Sequence, residues 1–248
     1  MKAIILAAGK GTRLDGAAVK PKCLVEIGGQ TLLQRQIESL RAANVERIVI
    51  VVGFGKESIR DECDGDIEFV ENVDFAETSS LYSLWLAREH LTGGFVVLNC
   101  DVLFHPQLLA NLLESSHPDA LLLSDTQTTP LGDEEMKVKL REDLVIDISK
   151  KMDPSEADGE NVGIVKFSPA GATALLGYMD QLLATGAKKD WAPRAFREFA
   201  LHHPLHALST GGLPWIEIDF PEDYERAVTE IYPRIDSALT RDAALTEA

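Results

Sequence analysis

Long hydrophobic runs are missing from this 248-residue chain: none approaches the roughly 20 apolar residues that a membrane helix needs, so a water-soluble protein with no membrane partner is expected. Cysteine is scarce. Cys23, Cys63 and Cys100 are odd in number, far apart and form no C-x-x-C pair, which suggests neither a disulfide framework nor a zinc site and points to a reducing, cytoplasmic compartment. Positive charge is in deficit, with 24 Lys and Arg against 40 Asp and Glu and a net charge of -16, which argues against a nucleic-acid partner because a phosphate backbone calls for a dense basic surface. Internal repeats and low-complexity linkers are also lacking, and no Ser-His-Asp constellation can be assembled for hydrolysis. His202, His203 and His206 are interrupted by Pro204, which spoils helical ligand spacing and reads as a helix end and turn.

What is present is a globular composition, 45% hydrophobic and 26% charged. The charge is uneven: residues 1 to 60 carry 10 basic and 5 acidic residues, a local excess that suits a small polyanion such as a nucleoside triphosphate. Short β-rich runs at Lys2 to Leu6, Arg47 to Val52, Ile67 to Val70, Phe95 to Asn99 and Ala120 to Leu123 alternate with helical patterns at Thr31 to Ala43, Leu81 to Leu91 and Pro106 to Ser115. This rhythm predicts an α/β fold of three layers around a mostly parallel, Rossmann-like central sheet. After Met136 a hairpin is expected from Met136 to Arg141 and Leu144 to Ile148, then a strand at Asn161 to Phe167, helices at Ser168 to Leu183 and Trp191 to Leu201, and a strand at Trp215 to Ile218. We read residues 1–239 as one domain, with a nucleotide-binding half (1–125) and an acceptor-binding half (126–239) carrying a small β-rich insertion, and 240–248 as a flexible tail.

The sharpest local feature is Leu6-Ala7-Ala8-Gly9-Lys10-Gly11-Thr12-Arg13-Leu14, followed by Pro21-Lys22. Small residues at a strand end let the backbone approach a ligand, and Gly9 and Gly11 permit a turn that aims N–H groups at phosphate oxygens. Lys10, Arg13 and Lys22 add charge to neutralise a triphosphate. The P-loop pattern G-x-x-x-x-G-K-S/T is absent, and Leu14 stands where a dinucleotide fingerprint needs its third small residue.

This loop resembles that of the nucleotide-sugar pyrophosphorylase-like nucleotidyltransferases, whose signature is a strand, an L-A-A-G-x-G-T-R-L loop and a P-K pair a few residues later. The resemblance implies that Leu6 to Arg13 form the nucleotide-binding loop, that Arg13 holds the β- and γ-phosphates, and that Lys22 stabilises the α-phosphate during transfer. Phosphoryl chemistry of this kind needs fixed cations and positioning more than a covalent helper.

Two strands end in carboxylates: Val96 to Cys100 leads into Asp101, and Trp215 to Ile218 into Asp219. In open parallel sheets ligands gather at the carboxyl ends of strands, although a lone Asp there is also a common turn or cap residue. Family resemblance carries a shared Mg²⁺ onto Asp101 and Asp219, and hard oxygen ligands suit that ion. Glu217 lies two residues from Asp219 on the same strand face and is assigned an acceptor contact, whereas Asp223 falls in a helix first turn and suits the helix dipole.

Ser79 and Ser80 precede a helix and serve either a base or ribose contact or an N-cap. This stretch and Glu160 to Ser168 resemble most the bacterial choline-phosphate cytidylyltransferases, with inositol-1-phosphate and 2-aminoethylphosphonate cytidylyltransferases as relatives. That resemblance implies CTP as donor and a small phosphorylated alcohol or phosphonate as acceptor, with pyrophosphate released. Lys137, Lys150, Glu160 and Glu217 are the acceptor-site candidates; Lys137, Lys139 and Arg141 equally suit a solvated edge strand. Tyr82, Trp85, Trp191 and Trp215 are the aromatic faces on offer to a cationic head, Trp85 at core-like helical spacing. Other readings are a sugar-1-phosphate transferase using UTP, GTP or dTTP, and a non-catalytic nucleotide-sensing subunit; the sequence leaves room for a homo-oligomer.

Overall fold

The computed structural model describes residues 1–11, 20–45, 47–125 and 131–246, the side chains of 240–246 excepted. The first half runs β1 Lys2–Ala7, the hairpin β2 Glu26–Ile27 and β3 Gln30–Thr31, α1 Leu32–Ala42, β4 Arg47–Val52, α2 Lys56–Asp61, β5 Ile67–Glu71, α3 Ser80–Leu86, α4 Arg88–Leu91, β6 Phe95–Asn99, β7 Val102–Phe104, α5 Pro106–Glu114 and β8 Ala120–Asp125. The second half runs β9 Lys137–Arg141, β10 Leu144–Ser149, β11 Gly159–Phe167, α6 Pro169–Ala184, α7 Pro193–Ala200, β12 His206–Ser209, β13 Trp215–Glu217, α8 Pro221–Arg226 and, after a π-helical turn at Ala227–Ile231, α9 Tyr232–Thr246.

A nine-stranded sheet in the order β5-β4-β1-β6-β11-β8-β12-β10-β9 forms the middle layer. β1 explains why helices cover both faces. Its residues alternate between two buried clusters, Ile4 and Leu6 in one, Ala3, Ile5 and Ala7 in the other, so neither face of the strand can meet water. The α/β expectation holds, and β1 is parallel to both β4 and β6. The sheet is mixed, because β11 enters antiparallel between β6 and β8. Hydrophobic periodicity reports burial and not strand direction, and β11 is buried along its whole length. β9 pairs with β11 as well as with β10, so β11, β8, β12, β10 and β9 make a closed circuit of pairings.

Helix ends follow local chemistry. Thr31 and Gln34 form a reciprocal capping box at the start of α1, and Ser168 caps α6 while Asp119 accepts from the Ser168 N–H at 2.8 Å. The helical pattern expected over Leu81 to Leu91 is split at Ala87, whose φ of -81° and ψ of 9° end α3. Leu84, Ala87 and Leu91 are all buried, so the periodicity survives the break. A third cluster of Ile27, Leu32, Leu103, Ile216, Ile218, Ala227, Ile231 and Ile235 fastens the C-terminal helices to the β2–β3 hairpin. Gly28, at φ 59°, has no room for a Cβ because the Tyr232 ring occupies that space.

Candidate active site

A cleft of about 430 Å³ opens at the carboxyl ends of β1 and β6. The end of β1 is pinned by the Phe54 N–H, which donates to the Ala8 carbonyl at 3.1 Å. Leu6, Ala8, Gly9, Lys10 and Gly11 line the cleft, while the Ala7 side chain points into the opposite core cluster. Thr12 and Arg13 lie outside the described residues.

Lys22 reaches the cleft from a 3₁₀ turn that follows Pro21, with the Leu24 and Val25 N–H groups donating to the Pro21 and Lys22 carbonyls. Its aliphatic stem passes over Gly11, where a Cβ would overlap Lys22 Cγ; Gly11 is at φ 59°, so both space and backbone call for glycine. Lys22 Nζ donates to Asp219 and lies 3.5 Å from Asp101 Oδ2. Burial alone would lower the pKa of this ammonium, but the Asp101 and Asp219 charges hold it above its ordinary value.

Asp101 sits in the tight turn between β6 and β7. Gln36, buried on α1, clamps that turn: its Nε2 donates to the Asn99 and Val102 carbonyls, each at 2.9 Å. Antiparallel pairing of β7 with β13 brings Asp219 alongside, with the Ile218 N–H donating to the Asp101 carbonyl at 2.9 Å. Asp223 then accepts from the Asp219 and Phe220 N–H groups at 3.1 and 2.9 Å, the helix-start role expected of it. Donor atoms of Asp101, Glu217 and Asp219 lie within 4.8 Å of one another. Burial, opposed by Lys22 and reinforced by Asp219, raises the Asp101 pKa; burial and the charges of Asp101 and Asp219 raise that of Glu217 well above the usual range. The hard oxygens of these three carboxyls fit a small divalent cation.

The remaining candidates divide. Lys150 lines the cleft, its Nζ 5.0 Å from the centroid of Trp191, which is 51% exposed and also lines the cleft. Ser79 and Ser80 line it too. Ser79 occupies the N-cap of α3 without a side-chain cap bond, and the Ser80 hydroxyl accepts from the Ala192 N–H at 2.8 Å, tying α3 to the Trp191 segment. The structure does not bring Lys137 to the cleft wall. Its side chain is fully buried, and Nζ donates to the carbonyls of Gly132, Asp133 and Glu135 at 2.8, 3.2 and 3.3 Å, which satisfies all three ammonium hydrogens. Nor does Glu160 line it; that side chain is buried on β11, and burial, with Glu135 adding, pushes its carboxyl up to about 7. Trp85 donates to Asp180 and stacks on Tyr82 away from the cleft, and Trp215 packs in β13 against the core. His202 and His203 stack on Tyr178 and Phe199 at the end of α7, as a helix terminus would.

Sequence reasoning missed Gln36 and Asn72. Asn72 follows β5 at the same end of the sheet as Asp101, lines the cleft, and donates to Thr78 Oγ1 and Ser83 Oγ, both at 3.0 Å. Its place at a strand end was the available signal.

The family model described as the MobA-like NTP transferase domain matches residues 3–216. The chain belongs to this family. Its enzyme class is therefore nucleotidyltransferase, and the resemblance read from the phosphate loop is borne out. Among curated relatives, the bifunctional protein GlmU of Neisseria meningitidis is 38% identical over 130 residues, covering 52% of this chain and 28% of that protein. The CMP-5'-(3-aminopropyl)phosphonate synthase of Streptomyces rubellomurinus is 33% identical over 130 residues, 50% of this chain and 21% of the relative. These alignments thus span less than a third of either relative. In fold, the chain is similar to the CTP:phosphocholine cytidylyltransferase of Streptococcus pneumoniae (24% identity, TM-score 0.75, 91% of this chain and 96% of the other) and to the inositol-1-phosphate CTP transferase of T. maritima (23%, 0.77, 94% and 95%). No helix among the described residues is long and apolar enough to cross a membrane.

Proposed function

We propose that the protein transfers CMP from CTP to a small phosphorylated alcohol or a phosphonate. One observation carries the reading: Lys22 stands in a single cleft between the glycine loop on one side and Asp101 and Asp219 on the other, with Lys150 and Trp191 in the same wall. An acceptor oxygen attacks the α-phosphorus, the bond from that phosphorus to the bridging oxygen breaks, and pyrophosphate leaves with the electron pair. Lys22 exchanges its carboxylate partner for the α-phosphate oxygens as charge builds there, and the loop N–H groups hold the departing phosphates. Arg13 is assigned the β- and γ-phosphates by resemblance. Asp101 and Asp219, with Glu217 in reach, would hold Mg²⁺, which would neutralise phosphate charge. Lys150 is assigned the acceptor's phosphate or phosphonate, and the exposed Trp191 face a cationic head. The relative named as a CMP-phosphonate synthase and the cytidylyltransferases of similar fold favour this donor and acceptor class.

A second reading, a sugar-1-phosphate acceptor with UTP, is favoured by a UDP-glucose pyrophosphorylase of TM-score 0.77 and 17% identity. A pyrophosphate-release screen separates the two, pairing four nucleoside triphosphates with choline phosphate, aminoalkylphosphonates, inositol phosphate and hexose 1-phosphates. The expected signal is CTP with a phosphorylated alcohol or phosphonate, lowered by two to three orders of magnitude in Lys22→Ala, about the loss seen when a transition-state charge partner is removed. Near-normal turnover of that variant refutes the role of Lys22. Nucleotide binding with silence in every pairing points to a sensing subunit.

A further inference from the structure

At the other end of the sheet, three segments remote in sequence bring two imidazoles and a carboxylate together. His117 lies in the turn between α5 and β8, Asp143 in the turn of the β9–β10 hairpin, and His206 opens β12. The His117 and His206 rings lie face to face, 3.9 Å between centroids and 24° between planes, and His206 Nδ1 is 2.9 Å from Asp143 Oδ2. One donor atom from each of the three lies within 4.8 Å of the other two. Strand pairing fixes the positions of two of them: the His206 N–H donates to the Asp119 carbonyl at 3.1 Å, and the Ala207 N–H to the Asp143 carbonyl at 2.8 Å.

The cluster is far from the chemistry. Lys166 of β11 pairs with Val96, near the start of β6, and with Ala120, the first residue of β8; His206 also pairs with Ala120. It therefore sits where β6 begins, whereas Asp101 follows where β6 ends.

The hydrogen bond to Asp143 accounts for one nitrogen of His206 and leaves His117 unexplained: among the described residues, neither of its ring nitrogens has a hydrogen-bond partner. We propose that His117, Asp143 and His206 form a binding site for a borderline divalent transition-metal ion of the zinc or cobalt(II) kind, with water completing the coordination. Two imidazoles and a carboxylate suit such ions, whereas magnesium and calcium prefer all-oxygen sets. Metal–ligand bonds of about 2.0–2.2 Å set the donors about 3.5 Å apart, wider than the present His206–Asp143 contact and inside the 4.8 Å span of the cluster, and side-chain rotations can reach that spacing because Asp143 is exposed and both imidazoles retain access to solvent. The ion would clamp the α5–β8 turn, the β9–β10 hairpin and β12 together.

The test uses the full chain without an affinity tag, stripped by chelator and titrated with cobalt(II) in excess Mg²⁺, which competes for the carboxylates around Asp101. One equivalent is expected to bind with visible d–d absorption and no thiolate charge-transfer band. Zinc should displace it and, at about a hundred times its Kd, raise Tm by about 5–10 °C. His117→Gln and His206→Gln should each weaken cobalt binding by at least about tenfold with an unchanged circular dichroism spectrum. Absence of uptake overturns the proposal. So does equal uptake by a variant carrying both His117→Gln and His206→Gln, or a thiolate band that places the ion on the cysteines. If His206→Gln does not fold, His117→Gln and Asp143→Asn, both in surface turns, give the same decision.

Discussion

Replacing Glu160 with glutamine should make the protein more resistant to unfolding as pH rises, although the change removes a charge from an otherwise undisturbed strand. The Glu160 carboxyl, buried on β11, is moved from 4.5 to about 7, chiefly by burial. The folded protein therefore binds this proton more tightly than the unfolded chain does. Stability is lost as pH climbs from 4.5 through 7, and the loss is complete above that window. At about 1.36 kcal/mol per unit the total is about 3 kcal/mol, of which about 2 kcal/mol falls between pH 5.5 and 8. Glutamine cannot ionise and escapes the loss. Urea unfolding of the metal-free wild type and Glu160→Gln at several pH values in that range measures it, because titrating groups that do not interact with Glu160 cancel in the difference. The variant's advantage should grow by about 2 kcal/mol from pH 5.5 to 8; a difference flat to within about 0.5 kcal/mol would refute the assigned environment.

Gln36→Leu should lower stability by about 2 kcal/mol, as the buried carbonyls of Asn99 and Val102 lose their donor, and should depress pyrophosphate release by loosening the turn that carries Asp101. Gly163→Ala should cost about 1–3 kcal/mol in urea unfolding, since φ is 85° and the new Cβ would stand 2.7 Å from Asn99 Nδ2. Lys137→Met should destabilise by about 2 kcal/mol while leaving the acceptor KM unchanged; a raised KM at constant stability would restore this lysine to the acceptor site.

Legibility followed the distance over which each feature is encoded. That the glycine loop and Lys22 share a cleft was readable because the loop pattern is written in consecutive residues, and the place of Asp101 because an apolar strand announces its own end. Asp219 needed the family resemblance, since only the β7–β13 pairing sets it beside Asp101. Gln36 was invisible: it acts on carbonyls 63 and 66 residues away, and one polar side chain on an amphipathic helix carries no mark of that task. Lys137 was misjudged for a related reason. Alternation places a residue on a face of β9 but does not tell what covers that face, and here residues 132–135 fold over the ammonium. The direction of β11 was equally unwritten, because a strand buried throughout has the same pattern either way round.

The bond between Lys22 and Asp219 joins residues 197 apart. On a ribosome, the glycine loop and first strands emerge long before β13, α8 and α9 exist to complete the carboxylate pair and to cover Ile27, Leu32 and Leu103. The carboxylate pair beside Lys22 therefore forms only after β13 has been made. A nascent chain that stops short of Asp219 has the glycine loop but no second carboxylate beside Asp101, and it leaves Ile27, Leu32 and Leu103 without the apolar cover that the later helices supply.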